Sequence, residues 1–130
     1  MGARAVVEKF VVAFGDGRLQ DALSLFHDDF VIHAAGDVPY SGDYLGAEGF
    51  SELITKMVAV LDFTPSTDMP YIVDGHNVVL HYRLAFTSRA SGKSIETAVT
   101  EVFSVRDGLI TDIDVYYKNP SAVAALLETS

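Results

Sequence analysis

"KSIETAVTEVFSVRDGLITDIDVYYK", residues 93–118, reads as two strands joined by a turn. The first half alternates by twos, with Ile95, Thr97, Val99, Glu101, Phe103 and Val105 set against Glu96, Ala98, Thr100, Val102 and Ser104. The second half repeats the pattern, with Ile113, Val115 and Tyr117 set against Asp112, Asp114 and Tyr116. Successive side chains of a strand point to opposite faces, so the more apolar set of each half faces a core. "RDG" between them is a hairpin turn. This register places one carboxylic acid, Glu101, on an apolar face, where a charge is costly unless it is paired, hydrogen-bonded or neutralised.

The same period extends upstream. In "HNVVLHYRLAFTS", residues 76–88, Tyr82, Leu84 and Phe86 point inward. His81 and Arg83 point outward, where they are expected to complement Asp112 or Asp114 across strands. "MPYIVDG" and "FVIHA" are two further strands. Earlier the period is 3.6. Val7, Phe10, Val11 and Phe14 predict a helix over residues 3–14, stopped by Gly15 and Gly17. Leu19, Ala22, Leu23 and Phe26 predict a second, with Asp16 as its cap. Phe50, Leu53, Ile54, Met57, Val58 and Leu61 form the cleanest stripe, ended by Pro65 and expected to pack on the sheet. "NPSAVAALLE" closes the chain with a helical turn that has Asn119 as cap and Pro120 at its first position. Helices first and an antiparallel sheet second make an α+β fold, a single domain in 130 residues.

Two stretches resist periodicity. "HDD", residues 27–29, reads as a solvated turn. "GDVPYSGDYLG", residues 36–46, is too rich in turn residues for a strand and too long for a minimal connection. It is either a long connection or the rim of a site, and in the second case Tyr40 and Tyr44 are lid or rim residues.

Composition narrows the function. The net charge of −9 argues against nucleic acid and anionic membranes, both of which need a basic face. No cysteine is present, so there is no disulfide and no thiol chemistry. His27, His33, His76 and His81 lack the spacing of a zinc site or facial triad, and no metal is expected. The glycines at 36, 42, 46 and 49 do not make a phosphate loop. "MGARAVVEKF" shows no signal peptide, and no segment is long enough to span a bilayer. A cytoplasmic protein is expected.

"VVEKFVVAFGDGRLQDALSLFHDDFVIH", "GDYLGAEGFSELI" and "VFSVRDGLITDIDVYY" together resemble the nuclear-transport-factor-2-like superfamily. The nearest branch is the SnoaL-like one, which includes polyketide cyclases and ketosteroid-isomerase-like proteins. The resemblance covers nearly the whole chain and implies a cone of helices packed into a curved sheet. Ketosteroid isomerases use a carboxylate base on the first strand, a tyrosine on the first helix and a protonated carboxylic acid on the sheet. The helix position is Phe10 here. The base position falls on Ala34 or Asp37, and the sheet position on Glu101 or Thr100, with Glu101 preferred because it keeps the alternation. At most two of three roles survive, so ordinary steroid isomerisation is not implied. Limonene-epoxide-hydrolase-like members use an Arg/Asp pair on one strand and an aspartate on the last, and the matching inward positions here are Tyr82, Leu84 and Val115, so that machinery is not implied.

Glu101 is therefore the expected buried acid, with His33 or Asp37 as the base. Tyr82 and Tyr117 are candidates to orient a ligand carbonyl, and Phe10, Phe14, Tyr40, Phe103 and Val115 to contact the ligand. The expected activity is acid/base chemistry without a cofactor on a small apolar or polycyclic molecule: isomerisation, cyclisation or hydrolysis. The alternatives are a binding module that carries such a molecule, or a structural dimer. A homodimer is expected through the outer sheet face, whose Val79, His81, Arg83, Val102, Asp114 and Tyr116 mix apolar and charged character. Sedimentation of only the 14.1 kDa monomer at micromolar concentration would count against it.

Overall fold

A computed structural model describes residues 2–128. The chain runs α1 (Ala3–Gly15), α2 (Leu19–Leu23), β1 (Phe26–Ala34), β2 (Gly42–Leu45), α3 (Gly46–Val60), β3 (Leu61–Pro65), β4 (Tyr71–Asp74), β5 (Asn77–Ser88), β6 (Ser94–Arg106), β7 (Leu109–Tyr117) and α4 (Pro120–Leu127). The strands form one curled sheet in the order β2-β1-β7-β6-β5-β3, with β4 beside the start of β5. No helix among the described residues is long and apolar enough to cross a membrane.

The sheet is mixed rather than wholly antiparallel. β1 lies parallel to β7, pairing Ile32 with Ile113 and His33 with Asp114. Parallel neighbours need a long crossover, and everything between β1 and β7 supplies it. The other pairs are antiparallel, and the β5–β6–β7 register follows the alternation read above. Glu101 faces Leu80 on one side and Val115 on the other. Val78, Leu80, Leu84, Phe86, Val99, Phe103, Val105 and Ile113 are buried on the inner face.

α1 packs on β5, β6 and β7, and α3 on β1, β2 and β3. Their apolar stripes meet in an aromatic cluster. Phe50 lies edge-on to Phe10, Phe14 and Phe26 at ring-centroid distances of 5.8, 5.8 and 5.1 Å. Phe26 and Phe30 stack at 3.8 Å. α4 begins as expected: the Asn119 side chain accepts a hydrogen bond from the Ala122 N–H at 3.3 Å, and Pro120 follows the cap.

Four local expectations change. Asp16 closes α1 instead of capping α2, which starts after Arg18 without a side-chain cap. "HDD" lies inside β1, where the pairing with β7 slips between Phe26 and Val31, so the aspartates face solvent from an irregular strand and not from a turn. α3 stops at Val60, and Leu61 opens a strand paired along β5 from Ser88 to Leu84. Leu61 is buried in either state, so its hydrophobicity could not separate helix from strand. On the outer face, Arg83 pairs with Glu96, and His81 Nδ1 bonds Thr100 Oγ1 at 2.9 Å. β5 neighbours β6, so Asp112 and Asp114 on β7 are out of reach.

The turn-rich stretch also holds a strand. Gly42–Leu45 pairs with Val31–Ala34, and Gly46 at φ 68° then turns the chain directly into α3. Gly49 lets the helix press on that strand: a Cβ there would stand 2.8 Å from the Tyr44 carbonyl carbon. A four-residue edge strand between glycines carries too little alternation to be read from sequence.

Candidate functional site

Between the concave sheet and helices α1 and α3 lies a cavity of about 480 Å³. Its wall is mostly apolar, with Phe10 and Phe14 from α1, Phe50, Leu53, Ile54 and Met57 from α3, and Ile32, Leu80, Leu84 and Ile113 from the sheet. The polar groups on the wall belong to Glu101, Tyr82, Tyr117 and Tyr40.

Strand register explains why these groups share a wall. Tyr82 and Tyr117 are the two cross-strand partners of Val99, from β5 and β7. Glu101 stands two residues further along β6 on the same face, diagonal to both. Its direct partners are Leu80 and Val115, which offer no hydrogen bonds through their side chains. Burial among these groups pushes its carboxyl up to about 7, and a hydrogen bond from the Tyr82 hydroxyl opposes only part of that shift. The residue keeps some solvent exposure because the cavity reaches it, while the carboxyl itself is enclosed by protein.

The tyrosines are arranged in series. The Tyr40 and Tyr117 hydroxyls share a hydrogen bond at 2.9 Å inside the core. The Tyr44 hydroxyl donates to the Tyr40 carbonyl at 2.8 Å, and Lys56 Nζ donates to Tyr44 at 3.4 Å. Burial raises the Tyr40 phenol to about 12 and raises Tyr82 and Tyr117 as well, the latter pair further by the neighbouring acidic groups. All three are neutral donors across the physiological range.

The candidate residues divide into those on this wall and those elsewhere. Glu101, Tyr82, Tyr117, Phe10, Phe14, Tyr40 and Val115 line the cavity. Phe103 does not; it is fully buried behind the wall, against Phe10 at 5.9 Å. The His33 ring turns to the sheet edge, where Nδ1 meets Asp43 at 2.7 Å; that bond raises its pKa against partial burial. Asp37 is exposed in the β1–β2 connection at φ 68°, a turn residue clear of the cavity. Of the two positions weighed for the base, Ala34 is on the wall and Asp37 is not.

The connection does not form an open rim. Val38, Tyr40 and Tyr44 are buried at 6%, 2% and 6% exposure, so the segment closes its end of the cone with tyrosines. Tyr44 serves as a strut there and does not reach the cavity. The exposed lining residues are instead Gly15, Val58 and Pro65, at the ends of α1, α3 and β3, which places the mouth between those ends. Phe63 and Met69 line the wall near this mouth and went unrecognised in the sequence. Phe63 belongs to the strand hidden behind the helical stripe. Met69 precedes the short strand β4 with no periodic signal of its own.

The family model for a SnoaL-like domain matches residues 7–113. An NTF2-like protein from Burkholderia thailandensis superposes with a TM-score of 0.91 at 19% identity, over 99% of each chain. TerC co-crystallised with polyporic acid superposes at 0.84 with 21% identity, over 98% of each chain. A candidate polyketide cyclase from Xanthomonas campestris superposes at 0.82 with 19% identity, over 97% of this chain and 96% of the other. At such identities these likenesses bear on the fold. No curated protein matches the sequence.

Proposed function

The chain belongs to the SnoaL-like domain family, and on that premise we propose that it binds a small apolar or polycyclic carbonyl compound in the cone and moves protons on it without a cofactor. The observation that carries this reading is Glu101, a carboxylic acid enclosed by apolar neighbours and held near neutrality, facing a cavity large enough for a ligand. Protonated, it donates to a carbonyl oxygen as that oxygen gains charge; ionised, it accepts a proton from an adjacent carbon. Tyr117, positioned by Tyr40, and Tyr82 are further donors for the same oxygen. The reaction class is enol-forming isomerisation or cyclisation. Similarity to a candidate cyclase and to a protein co-crystallised with polyporic acid supports a small-molecule ligand. His33 and Asp37, away from the wall, give way to Glu101 as the group that both donates and accepts.

One observation favours the non-catalytic alternative: among the described residues, Glu101 is the only carboxyl or imidazole lining the cavity. A simple ketone separates the two readings. Wild-type protein should bind 2-acetylnaphthalene and speed deuterium exchange at its methyl carbon above the buffer rate. Glu101→Gln, which keeps a donor but no base, should bind and lose the exchange. Glu101→Leu and Tyr117→Phe should weaken binding. Binding without any excess exchange makes the protein a carrier, and no binding at all removes the ligand site.

A further inference from the structure

The cavity holds a carboxyl and no cationic side chain: among the described residues no lysine, arginine or histidine lines it, and its one carboxyl is Glu101. Both helices that form its walls present their C-terminal ends to the mouth: Gly15 is the last residue of α1, and Val58 lies in the last turn of α3. Helix C-termini carry partial negative charge, normally offset by a basic residue in the last turn, and neither helix has one. Two arginines approach these ends through their backbone N–H groups, Arg18 bonding the Ala13 carbonyl at 2.8 Å and Arg89 the Val60 carbonyl at 2.9 Å, and both side chains are engaged elsewhere. Arg18 is held by Asp21 at 2.8 Å and Asp16 at 3.4 Å, and Arg89 by Asp62 at 2.6 Å. All nine lysines and arginines lie on the exposed surface, within a net charge of −9.

We infer that this site is a charge filter: it admits uncharged ligands that offer an acceptor oxygen to its tyrosine hydroxyls and excludes organic anions of the same shape, which Glu101 repels. The inference rests on reading the cavity as a ligand site and narrows the class of ligand. An anion entering the mouth meets two negative helix ends, then a carboxyl in a low-dielectric wall, with no cation to replace its hydration. A ketone of the same size meets the same apolar surface and accepts a hydrogen bond from a neutral tyrosine hydroxyl on the wall, Tyr82 or Tyr117, whatever the charge on Glu101. Burial raises the Glu101 carboxyl, and no cation beside it among the described residues brings it back down.

The test compares a matched pair, 2-acetylnaphthalene and 2-naphthoate, by calorimetry on the full chain at about pH 8, where the probe acid is ionised and Glu101 largely so. The ketone should bind at least about tenfold more tightly. Glu101→Gln should narrow that gap by improving naphthoate. Adding salt should narrow it only in part, because screening reaches the mouth and the surface more than the enclosed carboxyl. Equal or tighter binding of naphthoate by wild-type protein overturns the filter while leaving the ligand site intact. So does a gap that Glu101→Gln leaves unchanged. Failure of both probes to bind removes the ligand site and the filter together.

Discussion

Phe50→Ala should cost about 3–5 kcal/mol of folding stability, the range for truncating a buried aromatic ring. Phe50 is 3% exposed and sits where α3 meets both α1 and β1. Its ring touches four others: Phe10, Phe14, Phe26 and Phe30, the last at 6.3 Å. Edge-to-face pairs of this kind each add about 0.5–1.5 kcal/mol beyond area burial. The void left behind would join the existing cavity, so the surrounding rings cannot collapse onto it. A domain of this size has about 5–15 kcal/mol in total, so the loss is a large share. Val58→Ala on the same helix is the control, since Val58 is 42% exposed and should change stability by no more than about 0.5 kcal/mol. Urea unfolding measures both. A loss below about 1.5 kcal/mol for Phe50→Ala would contradict a central role for that ring. If the alanine variant does not fold, Phe50→Leu supplies a milder comparison.

The second large effect is a pH dependence carried by Glu101. An unfolded glutamate titrates near the model value of 4.5, and the folded one at about 7. Below the lower value both states are protonated, and the group has no effect on stability. Between the two values the folded state binds more protons than the unfolded state, so stability falls as pH rises. Above the upper value both states are ionised and the full penalty applies, on the order of 3 kcal/mol at about 1.36 kcal/mol per unit. Glu101→Gln has no such titration. The variant should match wild type near pH 4.5 and exceed it in stability at about pH 8, with the difference opening between those limits. Denaturant unfolding at a series of pH values reads this directly, and a carbon-detected NMR titration reads the carboxyl itself. Parallel stability curves for the two proteins would show that Glu101 is not desolvated in the fold.

Much of the site was legible because strands have a period of two. Once Val99, Phe103 and Val105 are assigned to the core, Glu101 must join them, and the same parity brings Tyr82 and Tyr117 inward. The base candidates failed to reach the cavity for a related reason. His33 is next to Ile32 in an alternating strand, so it points away from the face that Ile32 shares with the cavity. Asp37 follows the end of that strand, where no period applies.

Sequence by itself determined α1, the body of α3, the strands β5, β6 and β7 with their inward face, and the isolation of one acid on that face, because these follow from local alternation and from where apolar side chains must go. Tertiary structure alone decided the parallel pairing of β1 with β7, the burial of Tyr40 against Tyr117, and a cavity mouth framed by Gly15, Val58 and Pro65. Each of those depends on elements distant in the chain meeting in space, at residues such as glycine, proline and tyrosine whose local pattern is the same on a rim, in a turn or inside a core.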